Sequence, residues 1–241
     1  GDRVHLPSGL ASTSAANRFG TANVLVEALP ELEAIDRDAL DLRERAFLDT
    51  ARWLGTRASQ VMRMPYGGLD GYPVPYVNSQ LTGSYQSVPD FLDSQHKVES
   101  AADAEAYLSR LGDFARNIDF EVERAQADAA RGVIPPDFIL DKTIAQTRTL
   151  RDDPSDLVDS LVRRTRERGI PGDWQVGAAG LVNGPVRQAL DRQIAMLTEL
   201  RRRATSEAGV SRLPGGRGLY EMALRYHTST GLTPEQAHQI G

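Results

Sequence analysis

SAADAEAYLSRLGDFARNIDFEVERAQADAARG, residues 100–132, decides the fold class. Tyr107, Leu108, Leu111, Phe114, Ala115, Ile118, Val122, Ala125 and Ala129 recur at three-and-four spacing, which places them on one face of a helix. Ser100 with Asp103 gives an S-x-x-D start close to a capping box, and Gly132 supplies the C-terminal stop. This stretch is core rather than cofactor chemistry.

Toward the C-terminus the same period returns. Pro135-Pro136 opens a helix with Phe138, Ile139, Thr143, Ile144, Thr147 and Leu150 inward, and Asp153-Pro154-Ser155 breaks it. Leu157, Val158, Leu161 and Val162 carry the next helix, and Gly169-Ile170-Pro171-Gly172 turns the chain. Pro185 suits the first turn of a helix whose inner face is Val186, Ala189, Leu190, Ile194, Leu197 and Leu200. Toward the N-terminus, Leu42, Phe47, Leu54, Ala58 and Val61 mark one face of a helix reaching about Met62. Leu32 and Ile35 belong to a short helix before it, with Asp36 or Asp38 as the cap between them. Residues 1–28 read as an irregular lead-in, and residues 29–241 as the helical N-terminal portion of a larger domain. No sustained period-2 alternation and no fixed-period repeat occurs. The expected fold is all-α, an antiparallel multi-helix array with short connections.

One stretch departs from that plan. Arg63 to Val88, RMPYGGLDGYPVPYVNSQLTGSYQSV, holds seven Gly and Pro residues and four tyrosines. A long loop in a helical chain is uncommon and often functional. A small hairpin is expected around Val74–Val77, and a Tyr-rich loop packed over the helices is the plainer alternative.

Composition narrows the function. The chain has 241 residues, 28 basic and 33 acidic, for a net charge of −5. The two signs are interspersed, which excludes the basic footprint of a nucleic-acid binder. Arg201-Arg202-Arg203 suits the C-terminal end of a helix dipole. There is no cysteine, so disulfides, thiolate nucleophiles and Cys-ligated zinc are excluded. No run approaches the ~20 apolar residues of a membrane span. The four histidines, His5, His96, His227 and His238, show no i, i+4 zinc spacing. His96 reads as a helix-end partner. Leu213-Pro214-Gly215-Gly216 is no P-loop, because no Gly-Lys-Ser/Thr follows; it is a tight turn before a helix near Gly218, with backbone N–H groups available to an anion as the sharper alternative.

Several short segments resemble one bacterial family. They are Leu40–Leu54 (LDLRERAFLDTARWL), Asn78–Gln86 (NSQLTGSYQ), Ser100–Leu111 (SAADAEAYLSRL), Arg131–Pro136 (RGVIPP) and, most specifically, Leu213–Gly241. In the last, LPGG, a Tyr-bearing helix, Tyr226-His227-Thr228-Ser229-Thr230 and Leu232-Thr233-Pro234-Glu235 occur in order. The order is similar to the N-terminal half of the family known as domain of unknown function 885, whose members resemble zincin-type metallopeptidases of the thermostable carboxypeptidase kind. The resemblance implies a zinc-dependent peptidase acting on peptides, with its H-E-x-x-P-G-H-type metal motif beyond residue 241. It implies no zinc on these residues alone, no activity for them alone, and the remaining half of the protein as a partner. It implies substrate-binding roles for Tyr76, Asn78, Gln80, Tyr226, His227, Thr228 and Thr230, and an envelope or secreted location, with the cytoplasm left open. The competing expectation is a non-catalytic helical interaction module. Thr233 to Gln236 reads as a capping box with Pro at the first helical position, opening a helix that reaches Gly241.

Overall fold

The computed structural model describes residues 9–69 and 71–240, so His5 and the first part of the 1–28 lead-in lie outside the described residues. Every regular element among them is helical, and no strand occurs. No helix among them is long and apolar enough to cross a membrane. The residues form two compact units.

The first unit comprises residues 9–12, 78–129 and 134–206. Its axis is α4 (Ala101–Ala130), the helix read from residues 100–132. The Ser100 start is present: the Asp103 N–H donates to Ser100 Oγ at 3.3 Å and the Glu99 N–H to Asp103 Oδ2 at 3.0 Å. Gly132 takes φ +85°, the left-handed backbone that ends helices. Tyr107, Leu111, Phe114 and Ile118 are fully buried against Leu157 and Leu161 of α6 (Asp156–Glu167) and Val186 and Leu190 further on. A second cluster joins Ala129 to Leu140 and Ile144 of α5 (Asp137–Asp152) and to Met196, Leu197 and Leu200. Phe138, expected inward, is 44% exposed, because α5 begins there and the inward row starts at Leu140.

Pro185 opens no helix. α7 (Trp174–Leu181) runs through one wider turn, Val182–Val186, into α8 (Arg187–Arg203) without a break. Proline has no N–H and its ring crowds the preceding turn, so the backbone widens there to keep the remaining bonds. A similar turn, Phe91–Gln95, follows the short helix α3 (Ser84–Asp90). Its end is closed by Arg164, whose guanidinium donates to the Leu92 and His96 carbonyls at 2.7 and 2.6 Å and lies over the Tyr107 ring.

The second unit comprises residues 13–77, 130–133 and 207–240. The expected lead-in contains a helix, α1 (Ala15–Ala34), capped by Ser14, whose Oγ accepts from the Asn17 N–H. Its apolar residues lie all round the axis and Pro30 sits inside it, so periodicity gave no signal. α1 packs on α2 (Leu42–Met62), where Gly55 meets Leu29 and Arg52 donates to the Leu32, Glu33 and Ile35 carbonyls. The cap of α2 is Asp41, paired reciprocally with Glu44 at 2.9 Å, whereas Asp36 caps only the short turn Arg37–Ala39. The face of α2 read from Leu42, Phe47 and Leu54 is largely exposed. No hairpin forms at Val74–Val77; two isolated bridges, Leu69–Tyr72 and Ser79–Thr82, give the loop its turns. After the Gly215 turn come α9 (Gly216–Thr228) and α10 (Pro234–Ile240). The Thr233–Gln236 box is made, at 2.9 and 3.2 Å.

His96 illustrates how burial sets a charge state. It is 5% exposed, its Nε2 faces the Asp103 carbonyl at 2.9 Å and its Nδ1 faces Arg110. That pairing requires the neutral ring with the proton on Nε2. Burial, then the nearby Arg110 and Arg164, hold its pKa below the ordinary 6.5. The unfolded chain therefore takes up a proton that the folded chain refuses, and stability falls as pH drops through about 6.5. Urea midpoints at pH 7.5 and 5.5 should show this acid loss in the native protein and a smaller one in His96→Gln. Equal losses would remove His96 as its source.

Candidate functional site

The two constellations singled out from sequence fall in different units. Asn78 and Gln80 belong to the first, whereas Tyr76 and the Tyr226–Thr230 segment belong to the second.

In the first unit the segment Asn78–Gln86 is folded around one carboxylate. Ser79 and Thr82 exchange backbone hydrogen bonds at 3.1 and 3.3 Å, and their hydroxyls pair at 2.8 Å. Gly83 then takes φ +115°, and a side chain there would strike the Asn78 amide. This turn delivers the Ser84 N–H to both oxygens of Glu121, at 2.9 and 3.0 Å, and the Ser84 hydroxyl to Oε1 at 2.5 Å. Asn78 Nδ2 donates to Oε2 at 3.0 Å. Glu121 is completely buried in α4. Burial pushes its carboxyl up to about 7, while the donors from Ser84 and Asn78 and the charge of Arg124 pull the other way.

The rest of the segment is closed on itself and tied to α5 through Gln146. The Tyr85 hydroxyl sits 2.7 Å from the Ser79 carbonyl and 3.0 Å from Gln146 Oε1, and burial pushes it up to about 12. Gln86 Nε2 donates to the Gln80 carbonyl at 2.9 Å. Asn78 is 2% exposed and its NH₂ is committed to Glu121. Its Oδ1 and the Oε1 of Gln80 are enclosed without a hydrogen-bond partner.

In the second unit tyrosines fasten the loop to the LPGG turn. The Tyr66 hydroxyl donates to the Pro214 carbonyl at 2.7 Å, and Arg212 donates to the Tyr76 hydroxyl at 3.0 Å. Tyr76 is 8% exposed, and burial raises its pKa against the lowering effect of Arg212. Gly67, at φ +57°, has the Val74 and Pro75 carbonyls where a side chain would stand. Tyr226 is half-buried, its ring 5.9 Å from Trp53, 5.7 Å from the edge-on Tyr72 and 5.2 Å from His227. Its pKa is raised, first by burial and then by Tyr72, so its hydroxyl keeps its proton.

At the end of α9, Ser229 adopts a left-handed conformation, φ 55°. The Thr228 hydroxyl donates to the Leu224 carbonyl at 2.7 Å and pairs with Thr230 Oγ1 at 2.9 Å. His227 is exposed at the same turn. The structure thus brings Tyr226, His227, Thr228 and Thr230 together at one turn, and uses the threonine hydroxyls partly to build it. Sequence reasoning missed Glu121, Ser84, Trp53, Tyr72 and Arg212. Glu121 carried a readable signal: it lies seven residues after Phe114 and three after Ile118, a carboxylate in an apolar row.

Among the described residues no three His, Asp or Glu side chains gather where they could hold a metal ion.

The family model for "Bacterial protein of unknown function (DUF885)" matches residues 4–241, and the chain belongs to that family. A crystal structure of a candidate lipoprotein from Colwellia psychrerythraea has the same fold, with a TM-score of 0.86 at 19% identity. The match covers 97% of this chain and 41% of that one. No curated protein matches.

Glu121 gives a direct test of the first constellation. Glu121→Ala strands buried donors of Ser84 and Asn78 and leaves a cavity, costing on the order of 3 kcal/mol in chemical unfolding. The pH dependence has the opposite sign to that of His96. A carboxyl raised from 4.5 to about 7 binds its proton more tightly when folded. Its stabilisation is full below about 4.5 and is lost as pH rises through about 7. Glu121→Gln should flatten that decline; an unchanged decline would assign it elsewhere.

Proposed function

We propose that these residues form the N-terminal, substrate-facing helical part of a zinc-dependent, carboxypeptidase-like peptidase of the cell envelope. The observation that carries this reading is the Tyr226–Thr230 turn. A peptide offers carbonyl oxygens and a terminal carboxylate, and an enzyme that holds them needs fixed donors. Tyr226 keeps a protonated hydroxyl in an aromatic cluster, and His227 stands exposed beside it. Thr228 and Thr230 sit on the next residues of the same backbone turn. Under this reading His227 and Tyr226 orient the peptide, with the two threonines holding the turn in shape.

Further support comes from the ordered motifs from Leu40 to Gly241 and from the longer relative. The chain spans 41% of that protein, which leaves room for further elements, and its description as a candidate lipoprotein supports an envelope location.

The residues present do not fit a zinc site, since no suitable group of three ligands occurs among the described ones. Zinc and its ligands then belong to the rest of the longer protein, and no step through the metal is assigned to these residues. A helical interaction module is the second reading, favoured by the exposed apolar residues of α2.

The test uses the full-length protein, incubated with a defined peptide mixture and followed by mass spectrometry. Loss of C-terminal residues from peptides is the expected result, and His227→Ala should lower kcat/KM by roughly tenfold or more. Unchanged kinetics in that variant would remove His227 from the site. Intact peptides with zinc-loaded wild-type protein would overturn the peptidase reading and leave the interaction module.

A further inference from the structure

We propose that the outward face of α2 is a helix-docking surface, and that its occupant is a helix from the part of the longer protein outside these 241 residues. The proposal rests on the preceding reading only for the existence of that longer protein, not for its chemistry.

Two sides of α2 already have neighbours within the unit. Toward α1, Leu48 is buried, Gly55 touches Leu29, and Arg52 holds the carbonyls at the end of α1. On another side Trp53 meets the Tyr226 ring. The remaining side carries Phe47, Ala51, Leu54 and Ala58, spaced four, three and four residues apart. That is the spacing with which one helix presents a seam to another, large knobs alternating with small gaps. Yet Phe47 is 62% exposed and Leu54 49%. The guanidinium of Arg43 lies 5.5 Å from the Phe47 ring centre and partly roofs it.

Exposed apolar side chains recur along both packed helices of this pair. Among the described residues, seven of the thirteen large apolar side chains that are exposed fall between Phe19 and Leu54. On α1, whose apolar residues form no single stripe, Phe19 is 45% exposed and Val24 64%. Apolar patches of this kind on a soluble chain mark interaction sites.

The choice of occupant follows from the relative. The same fold, at 97% coverage of this chain, sits in a protein more than twice as long. A segment in the same polypeptide is present at high effective concentration, so it covers such a surface without needing an intrinsically tight interface. Because α2 offers a heptad-like stripe over about 11 residues, roughly 17 Å, the complementary element is a helix of at least three turns.

The experiment is site-specific photo-crosslinking in the full-length protein. Leu54→p-benzoylphenylalanine is illuminated, and the joined peptides are mapped by mass spectrometry. Val176→p-benzoylphenylalanine, in the other unit and more exposed at 74%, serves as control. The expected result is a cross-link from position 54 to a segment outside residues 1–241 of the same chain, absent at position 176. Mixing isotopically light and heavy protein separates the alternatives. A cross-link between copies would make this face a dimer contact and overturn the proposal, and an unreacted probe at position 54 would overturn it too. Thiol labelling of Leu54→Cys in the full-length protein gives a second readout: protection at position 54 with free labelling of Val176→Cys is expected, and equally free labelling at both overturns the proposal. The peptidase assay on the same preparation separates the two readings. An inactive protein with the cross-link retains the docking surface and loses the peptidase, and an active protein without it does the reverse.

Discussion

In the first unit the Asn78–Gln86 segment is ordered around one completely buried carboxylate. Ionised, Glu121 is costly in an apolar interior, and the cost is met only if several donors converge on it. The Asn78–Gln86 segment is what brings them. Its Ser79–Thr82 bridge, the left-handed Gly83 and the position of Ser84 all serve to aim one N–H, one hydroxyl and one amide at the same two oxygens. The dependence runs both ways. Without the loop, α4 would carry an unpaired charge in its core face; without Glu121, the loop would bury donors with nothing to accept them. A segment of nine residues without long regular structure is thereby tied to α4.

The second unit solves the same problem of a long loop by other means. Its tyrosines contribute both area and a polar tip: the rings of Tyr66 and Tyr76 are buried, while their hydroxyls tie to Pro214 and Arg212. No carboxylate has to be enclosed, although the Arg212 guanidinium is partly buried against Tyr76. Tyr226 follows the same logic at its ring, stacked near Trp53 and Tyr72, but leaves its hydroxyl unburdened by any such tie among the described residues.

What the sequence showed follows from which forces act locally. α4, α5 and α6 were legible because each buries one stripe, and a stripe has a period. The Thr233–Gln236 box was legible because capping is settled within four residues. α1 was not, because its apolar and polar residues are mixed round the whole axis and leave no stripe to find, and Pro30 argued against it. The continuous run from Trp174 to Arg203 was missed for a related reason: Pro185 signals a helix start by local rules, and only packing on both sides keeps the chain helical through a widened turn. On α2 the face read from Leu42, Phe47, Leu54, Ala58 and Val61 held only in part: Val61 is buried but Leu42, Phe47 and Leu54 are exposed, because periodicity cannot say whether a face is covered. Glu121 was missed because a carboxylate at a core position is read as an exception to the pattern. In this fold the exception organises the neighbouring loop.

These differences also redistribute the weight of the functional reading. Of the residues picked for substrate contact, Asn78 spends its amide donors inward on Glu121, and the Gln80 carbonyl is taken by Gln86. Groups already committed to holding the fold, the Asn78 amide as donor and the Gln80 backbone carbonyl as acceptor, cannot be lent to a ligand without loosening what they hold. The Tyr226–Thr230 turn is differently placed. Its threonines satisfy the end of α9 themselves, so the turn keeps its shape without drawing on His227 or the Tyr226 hydroxyl. A residue that is positioned by its neighbours, and not needed to position them, is the kind that is free to act on something else. By that criterion the argument for a peptide-facing surface on this chain rests on His227 and Tyr226, and the Asn78–Gln86 segment belongs to the frame.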